Sequence, residues 1–397
     1  MPTDAFAAAR SDFPGAVASP YLNVASRGIV SKTTMAAATA LLGDQLDGSA
    51  SKEAWAPIAT SARARFAQLI GAAPDEIAFT KNVSEGLNVI AGAFPWADGD
   101  NVVLCPAVEH PNNLYAWLNL RRRGVAVRAV PARADAIDLD AMLAAIDART
   151  RVLAVASVSF TPGFRADLAS LGAACRARGV MLVVDAVQSC GVLRHDVAAE
   201  RIDALATSTT KGLLGTHGQG FLHVRRDWIA RLEPASLARF SVDQGDAHES
   251  EMGGLEFRLR DDAQRFEIGN HNWTGLAAAD AALGQILALG SAAIEAHAVG
   301  LAARLADGLE ALGLKVRRPP AGVEPTHIVT VGTLGAGGAY STADARLDAL
   351  ARVLEADGVR FSVRRGLLRF ATHLYNDESD VARVLALAGS RARAAAE

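Results

Sequence analysis

Six short runs of β-branched and apolar residues, separated by helix-like stretches between about residues 50 and 265, constrain this chain more than any other feature. They are EIAFT (76–80), NVVLCP (101–106), VAVRAVP (125–131), RVLAVASVSF (151–160), VMLVVDAV (180–187) and GFLHVRR (220–226). Strands that are apolar along nearly their whole length have both faces covered, and the intervening helices supply the cover. The pattern therefore predicts an α/β fold on a large, mostly parallel sheet. In such sheets binding residues collect beyond the carboxyl ends of the strands. One or two amphipathic helices are expected over 275–315, and then the pattern changes. THIVTVGTL (326–334), VRFSVRRG (359–366) and LLRFATH (367–373) read as strands of a small sheet, and 377–388 as a closing helix. A chain of 397 residues is long enough for this division. We expect a large domain over 21–274, a smaller α+β domain over 275–397, and the first 20 residues packed on the smaller one.

Charge and cysteine usage narrow the class of function. A formal net charge of -3 gives no cationic field to gather nucleic acid or an anionic membrane. The cluster Arg121–Arg123 reads as a helix end facing solvent. Three cysteines, at 105, 175 and 190, form neither a paired framework nor a metal-type spacing, so no metal is expected and a cytoplasmic setting is. The start, MPTDAFAAARSDFPG, is acidic and lacks an uninterrupted apolar stretch, unlike a secretory signal or anchor. The apolar region 275–315 is broken repeatedly by Asp, Gln, Glu, His and Arg, which is the pattern of helices in a soluble protein.

Four loops that follow expected strands carry polar side chains. In TKNVSEGLNVIA (80–91) a strand ends at Thr80 and a helix begins near Ser84; free amides and a hydroxyl there suit a phosphate, and equally Ser84 is a plain helix cap. CPAVEHPNN (105–113) presents His110, as a surface residue or as a stacking group. Asp185 ends the apolar run MLVVDAVQS, where a carboxylate needs a cationic or hydrogen-bonding partner; a structural salt bridge would serve. STTKGLLGTHGQG (208–220) sets Lys211 between hydroxyl side chains and a glycine-rich segment, as a solvated loop cation or as a lysine carrying a cofactor through a Schiff base.

The order SEG (84–86), EH (109–110), VDAVQ (184–188) and STTKG (208–212) resembles the class V aminotransferases of the fold-type I pyridoxal phosphate (PLP) enzymes. That group includes cysteine desulfurases, isopenicillin N epimerase-like proteins and kynureninase relatives. The resemblance runs from YLNVASRG (21–28) to RFATHLYND (369–377), and the spacing between Asp185 and Lys211 fits it. It implies that Lys211 is the Schiff-base lysine and the proton shuttle at the substrate Cα. Asp185 would pair with the pyridinium nitrogen, Gln188 would hydrogen-bond the ring hydroxyl, and His110 would stack on the ring face. Val83 and Ser84 would cradle the phosphate with Ser208 and Thr210. A buried carboxylate keeps the ring nitrogen protonated, which the electron sink requires. FEIGNHNW (266–273) resembles a segment that reaches the phosphate of a neighbouring subunit, with Asn270 in place of the usual threonine, so a homodimer with shared sites is implied. Arg369 stands at the position that binds the substrate carboxylate, a task a bidentate guanidinium suits better than an ammonium does.

Three departures bear on the reaction. Thr210 precedes the lysine where many members carry histidine, and Phe160 stands where desulfurases usually carry asparagine. No cysteine follows residue 190, so the 335–366 region lacks the thiol that attacks sulfur in a desulfurase. The expected function is therefore amino transfer on a small amino acid. A β-eliminating C–S or C–X lyase, an epimerase-like racemase, and a non-catalytic regulatory binding protein on the same fold are the alternatives.

Overall fold

The computed structural model describes residues 2–243, 245 and 255–394. Seven strands form the large sheet: β1 (Ile77–Thr80), β2 (Asn101–Leu104), β3 (Ala126–Ala129), β4 (Thr150–Ala156), β5 (Met181–Asp185), β6 (Ala204–Ser208) and β7 (Gly220–Val224). Their order across the sheet is β1-β7-β6-β5-β4-β2-β3. The strands β6, β5, β4, β2 and β3 run parallel; β7 runs against both β6 and β1. All strands but β7 thus end on the same side, and their carboxyl ends open onto one cleft.

Alternation within the central strands explains why both sheet faces are dry. Leu153, Val155, Leu182 and Val184 point into one apolar cluster. Val152, Ala154, Met181 and Val183 point into the other. Each of the Val, Leu and Met side chains among these, fully withdrawn from water, contributes about 1.5–3 kcal/mol of transfer free energy. The edge strand β3 is only partly covered. Of the strands, β6 is not anticipated by the sequence pattern, because ALATS has a single large aliphatic residue, Leu205, and a single β-branched one, Thr207. It is recruited by its neighbours: Asp185 pairs with Ala206 on one side and Ser208 with Gly220 on the other. Gly220 is required there, since a Cβ would lie 2.5 Å from the Thr207 carbonyl oxygen.

The smaller sheet is antiparallel, β8 (Ile328–Gly332), β10 (Leu367–Ala371) and β9 (Ser362–Arg364) in that order. The 275–315 region forms two helices, Trp273–Leu289 and Ser291–Ala311, meeting at Gly290. The first packs on the helices Lys32–Asp47 and Lys52–Ile70, the second on β8 and on the last helix, Glu378–Ala394. No single helix among the described residues is long and apolar enough to cross a membrane. At the amino end, Arg10 bonds Asp380 at 2.7 Å and Phe6 stacks on His297, 4.0 Å between centroids. The next stretch stitches the two sheets together. Leu22 donates to the Arg360 carbonyl and Ala371 to that of Leu22, while Gly28 donates to the Thr210 carbonyl.

Candidate active site

The cleft is built from strand ends, so its residues are set by the sheet. Asp185 closes β5 and is buried; its Oδ1 accepts from the Val187 amide at 3.0 Å, and among the described residues nothing donates to its Oδ2. Burial pushes this carboxyl up, against the opposing pull of the Val187 amide and of the Lys211 charge. Lys211 follows β6 through the turn at Thr209 and Thr210. Burial lowers its ammonium to about 8; Asp185 works against the shift, and Arg369 and Arg364 add to it. Lys211 makes no hydrogen bond or ion pair to any described residue, so its amine is free for chemistry.

The backbone around Lys211 is tightly held. A Cβ at Gly28 would lie 2.3 Å from the Lys211 carbonyl oxygen, and one at Gly191 would lie 2.2 Å from that of Gly212. His373 donates from Nε2 to the Gly212 carbonyl at 2.8 Å. These three residues position the lysine, and only their neighbourhoods in space reveal it.

The loop after β2 begins the helix Pro111–Leu118, which His110 caps by accepting from the Asn112 amide through Nδ1 at 3.2 Å. Burial, then the charges of Lys211 and Arg369, hold the imidazole below its usual range and so favour its neutral form. Its ring meets Phe160 edge-on, with centroids 5.3 Å apart. The preceding residue, Glu109, has a role that the sequence did not disclose. Its buried carboxyl accepts from the Ala156 amide at 2.8 Å and from Asn113 at 2.7 Å, tying the loop to the end of β4. Burial, with a contribution from Asp185, raises it to about 8.

At the other end of the cleft the helix Val83–Ala93 starts just beyond β1, capped by Asn82, which accepts from the Glu85 amide. The cap is therefore Asn82 and not Ser84. The Val83 amide donates to Ser208 Oγ at 2.8 Å, so these two expected phosphate ligands bond each other. What remains for an anion is the Ser84 amide, which has no partner among the described residues, with the hydroxyl hydrogens of Ser84, Ser208 and Thr210. Gln188 donates to the Ala25 carbonyl at 3.0 Å, and its buried Oε1 has no partner. Asn270 is exposed, on a loop that flanks a cleft lined by Thr80, Lys81, Gln219 and His271.

Arg369 reaches the cleft from β10 and is buried. It donates from Nε to Ser362 at 3.1 Å, from Nη1 to the Phe160 carbonyl at 2.5 Å, and from Nη2 to Ser26 at 2.7 Å. No carboxylate of the described residues meets it, and burial together with the Arg364 charge lowers it to about 9. Three of its five hydrogens are spent, leaving one on each Nη for an anion. The structure thus brings Lys211, Asp185, Gln188, His110, Ser84, Ser208, Thr210 and Arg369 to one cleft, and it adds Glu109, Ser26 and Arg364.

The family profile described as aminotransferase class-V matches residues 47–384. This chain belongs to the class V aminotransferase family. A probable cysteine desulfurase of Methanothermobacter thermautotrophicus is 35% identical over 259 residues, 64% of this chain and 63% of that protein, so the match spans less than two thirds of the relative's length. The uncharacterized aminotransferase YcbU of Bacillus subtilis is 28% identical over 81% of this chain and 80% of its own. Among solved structures, the apo cysteine desulfurase of Thermococcus onnurineus NA1 superposes with a TM-score of 0.81 at 24% identity, covering 97% of both chains, which establishes the shared fold. Enzymes of the class V aminotransferase family depend on PLP. The cleft fits that group's chemistry on its own terms. It offers an unpaired carboxylate oxygen on Asp185, an orphaned acceptor on Gln188, an unengaged amine and, at the far end, an unfilled helix start.

Proposed function

We propose that this protein is a PLP-dependent enzyme acting at the amino group and Cα of a small amino acid, with amino transfer as its reaction. One observation carries the reading: an unengaged Lys211 amine lies within electrostatic reach both of the buried Asp185 carboxylate and of Arg369, which has open donors and no acid among the described residues. When bound, PLP supplies an electron sink for a bond broken at the substrate Cα. Asp185 holds a proton on the ring nitrogen, and its burial makes that charge pairing strong. The Ser84 amide and hydroxyl, with Ser208 and Thr210, hold the phosphate at the helix start. His110 covers the ring, Gln188 meets the ring oxygen, and Arg369 fixes the substrate carboxylate. Lys211, whose ammonium burial brings down to about 8, would take the Cα proton and deliver it to the cofactor's C4′ carbon, the transfer that separates amino transfer from racemisation.

We place the enzyme in the cytoplasm as a homodimer. Met35, Leu42 and Leu46 on the helix Lys32–Asp47 form an exposed apolar stripe, and Asn270 stands on an exposed loop, as surfaces meeting a second copy would. Amino transfer is preferred to sulfur transfer because Cys105, Cys175 and Cys190 are all buried and burial raises each thiol.

A single-turnover incubation of the PLP-loaded protein with amino acids and no keto acid tests the reading. One equivalent of 2-oxo acid with the aminated form of the cofactor is the expected result. Pyruvate and ammonia with unchanged cofactor would make it a lyase, and an inverted amino acid alone a racemase. A protein that takes up PLP, shown by near-visible absorption, yet alters no amino acid would be a binding protein.

A further inference from the structure

Arg369 is not the only arginine at its end of the cleft. Arg364, on β9, directs Nη2 at the same Ser26 hydroxyl that Arg369 occupies, at 3.4 Å against 2.7 Å. Its other bond goes from Nη1 to the carbonyl of its own neighbour Val363. Nε–H and one hydrogen on each Nη are therefore left over. The guanidinium lies 5.0 Å from the centre of the exposed Tyr340 ring, which gives it a face to rest on but no charge. No acidic side chain among the described residues bonds either arginine.

Two guanidiniums meeting at one hydroxyl in a partly dehydrated cleft repel each other, and repulsion of that kind is relieved by anions. Counting charge shows how many. Asp185 is offset by Lys211 in the cofactor-free cleft and would be offset by the ring nitrogen in the loaded one, the phosphate would be held at the distant helix start, and the α-carboxylate of a substrate offsets one arginine. One positive charge remains. Arg369 can seat that α-carboxylate with the two hydrogens it has free, so Arg364 is not needed for it. Ser26, which accepts from both guanidiniums, still has its own hydrogen to give to a bound oxygen.

We infer that Arg364 binds a second carboxylate, carried on the substrate's side chain, and that the preferred substrates are dicarboxylic amino acids with short side chains, of the aspartate and glutamate type. The inference rests on the function proposed above for its substrate, but not for its anion site. Arg369 is buried at the inner position and Arg364 half-buried at the outer one, beside Tyr340. The α-carboxylate therefore lies inward and the side-chain acid points to the mouth of the cleft.

Calorimetric titration of the PLP-loaded protein with unreactive acids reads this directly, comparing succinate and glutarate with propionate and butyrate. The dicarboxylates should bind at least about tenfold more tightly. Arg364→Gln should bring that ratio close to one, and Arg364→Lys should keep part of it, since the charge survives but the fork does not. Spectral titration with L-aspartate, L-glutamate and L-alanine should give the same ranking. Equal affinity of the intact protein for mono- and dicarboxylates would overturn the inference. So would an Arg364→Gln variant that loses both classes by the same factor, because both arginines would then share a single carboxylate. If the protein takes up no PLP, the proposed function fails; titrating the cofactor-free protein with the same four acids still decides the role of Arg364.

Discussion

At the floor of the cleft, Lys211 and Asp185 sit on adjacent strand ends with opposite charges, each stabilising the other's charged form. At the wall, Arg369 and Arg364 carry like charges to one hydroxyl with no acid between them. The floor residues stand beyond strand ends of the parallel sheet, with Gly28 and His373 buttressing the Lys211 backbone from outside it. The wall needs three separate pieces of chain: the 21–28 segment, the loop after β4 and the small sheet. The contrast teaches that the two halves are prepared for different visitors. A buried carboxylate and amine with spare valences suit a resident group whose ring nitrogen and carbonyl carbon would take up those valences, whereas an uncompensated pair of cations favours a ligand that brings anions and leaves again.

The largest effect should come from the floor. Lys211→Ala removes the amine that holds the cofactor and moves the proton, so turnover should fall by roughly 10³-fold or more. Reduction with borohydride should then leave no cofactor fixed to the chain. A variant that still traps the cofactor covalently would take the floor away from Lys211. At the wall, Arg369→Ala should cost about 2–5 kcal/mol in kcat/KM for amino acids, the usual loss when one side of a buried charge pair is deleted. The absorption of the loaded, substrate-free enzyme should stay as it is. A wall mutation that bleaches the spectrum would erase the distinction between the two regions.

The same contrast explains what could be read in advance. Asp185 ends a hydrophobic run and His110 follows one within a few residues, so their strands place them, whereas Lys211 follows the illegible β6 and is named by its STTKG motif and its spacing from Asp185. The wall had one readable member, Arg369. Ser26 meets it across 343 residues of chain, and Arg364 sits in VRFSVRRG, whose alternation reads only as a strand. Glu109 was visible as a letter in a motif, but its bonds to Ala156 and Asn113 depend on packing that no local pattern encodes. β6 escaped for a different reason: its residues are small, and small residues fit where neighbouring strands already supply the bulk.

The smallest effect joins floor and wall in one measurement. Burial brings the Lys211 ammonium down to about 8, from an ordinary 10.5, so only the neutral fraction of this amine should limit its acylation in the cofactor-free protein. The neutral fraction grows as pH rises, so labelling of Lys211 should increase roughly tenfold between pH 7 and pH 9 and then level off, while exposed lysines continue to climb. Floor and wall pull the midpoint in opposite directions. Asp185 favours the charged amine, so Asp185→Asn should move the midpoint down. Arg369 and Arg364 disfavour the charged amine, so replacing either with glutamine should move it up. Mass spectrometry of the labelled Lys211 peptide across that pH range reads all four proteins. Shifts in the same direction for Asp185→Asn and Arg369→Gln would mean that the lysine responds to a general change in the cleft, and the two regions would then not be electrically distinct.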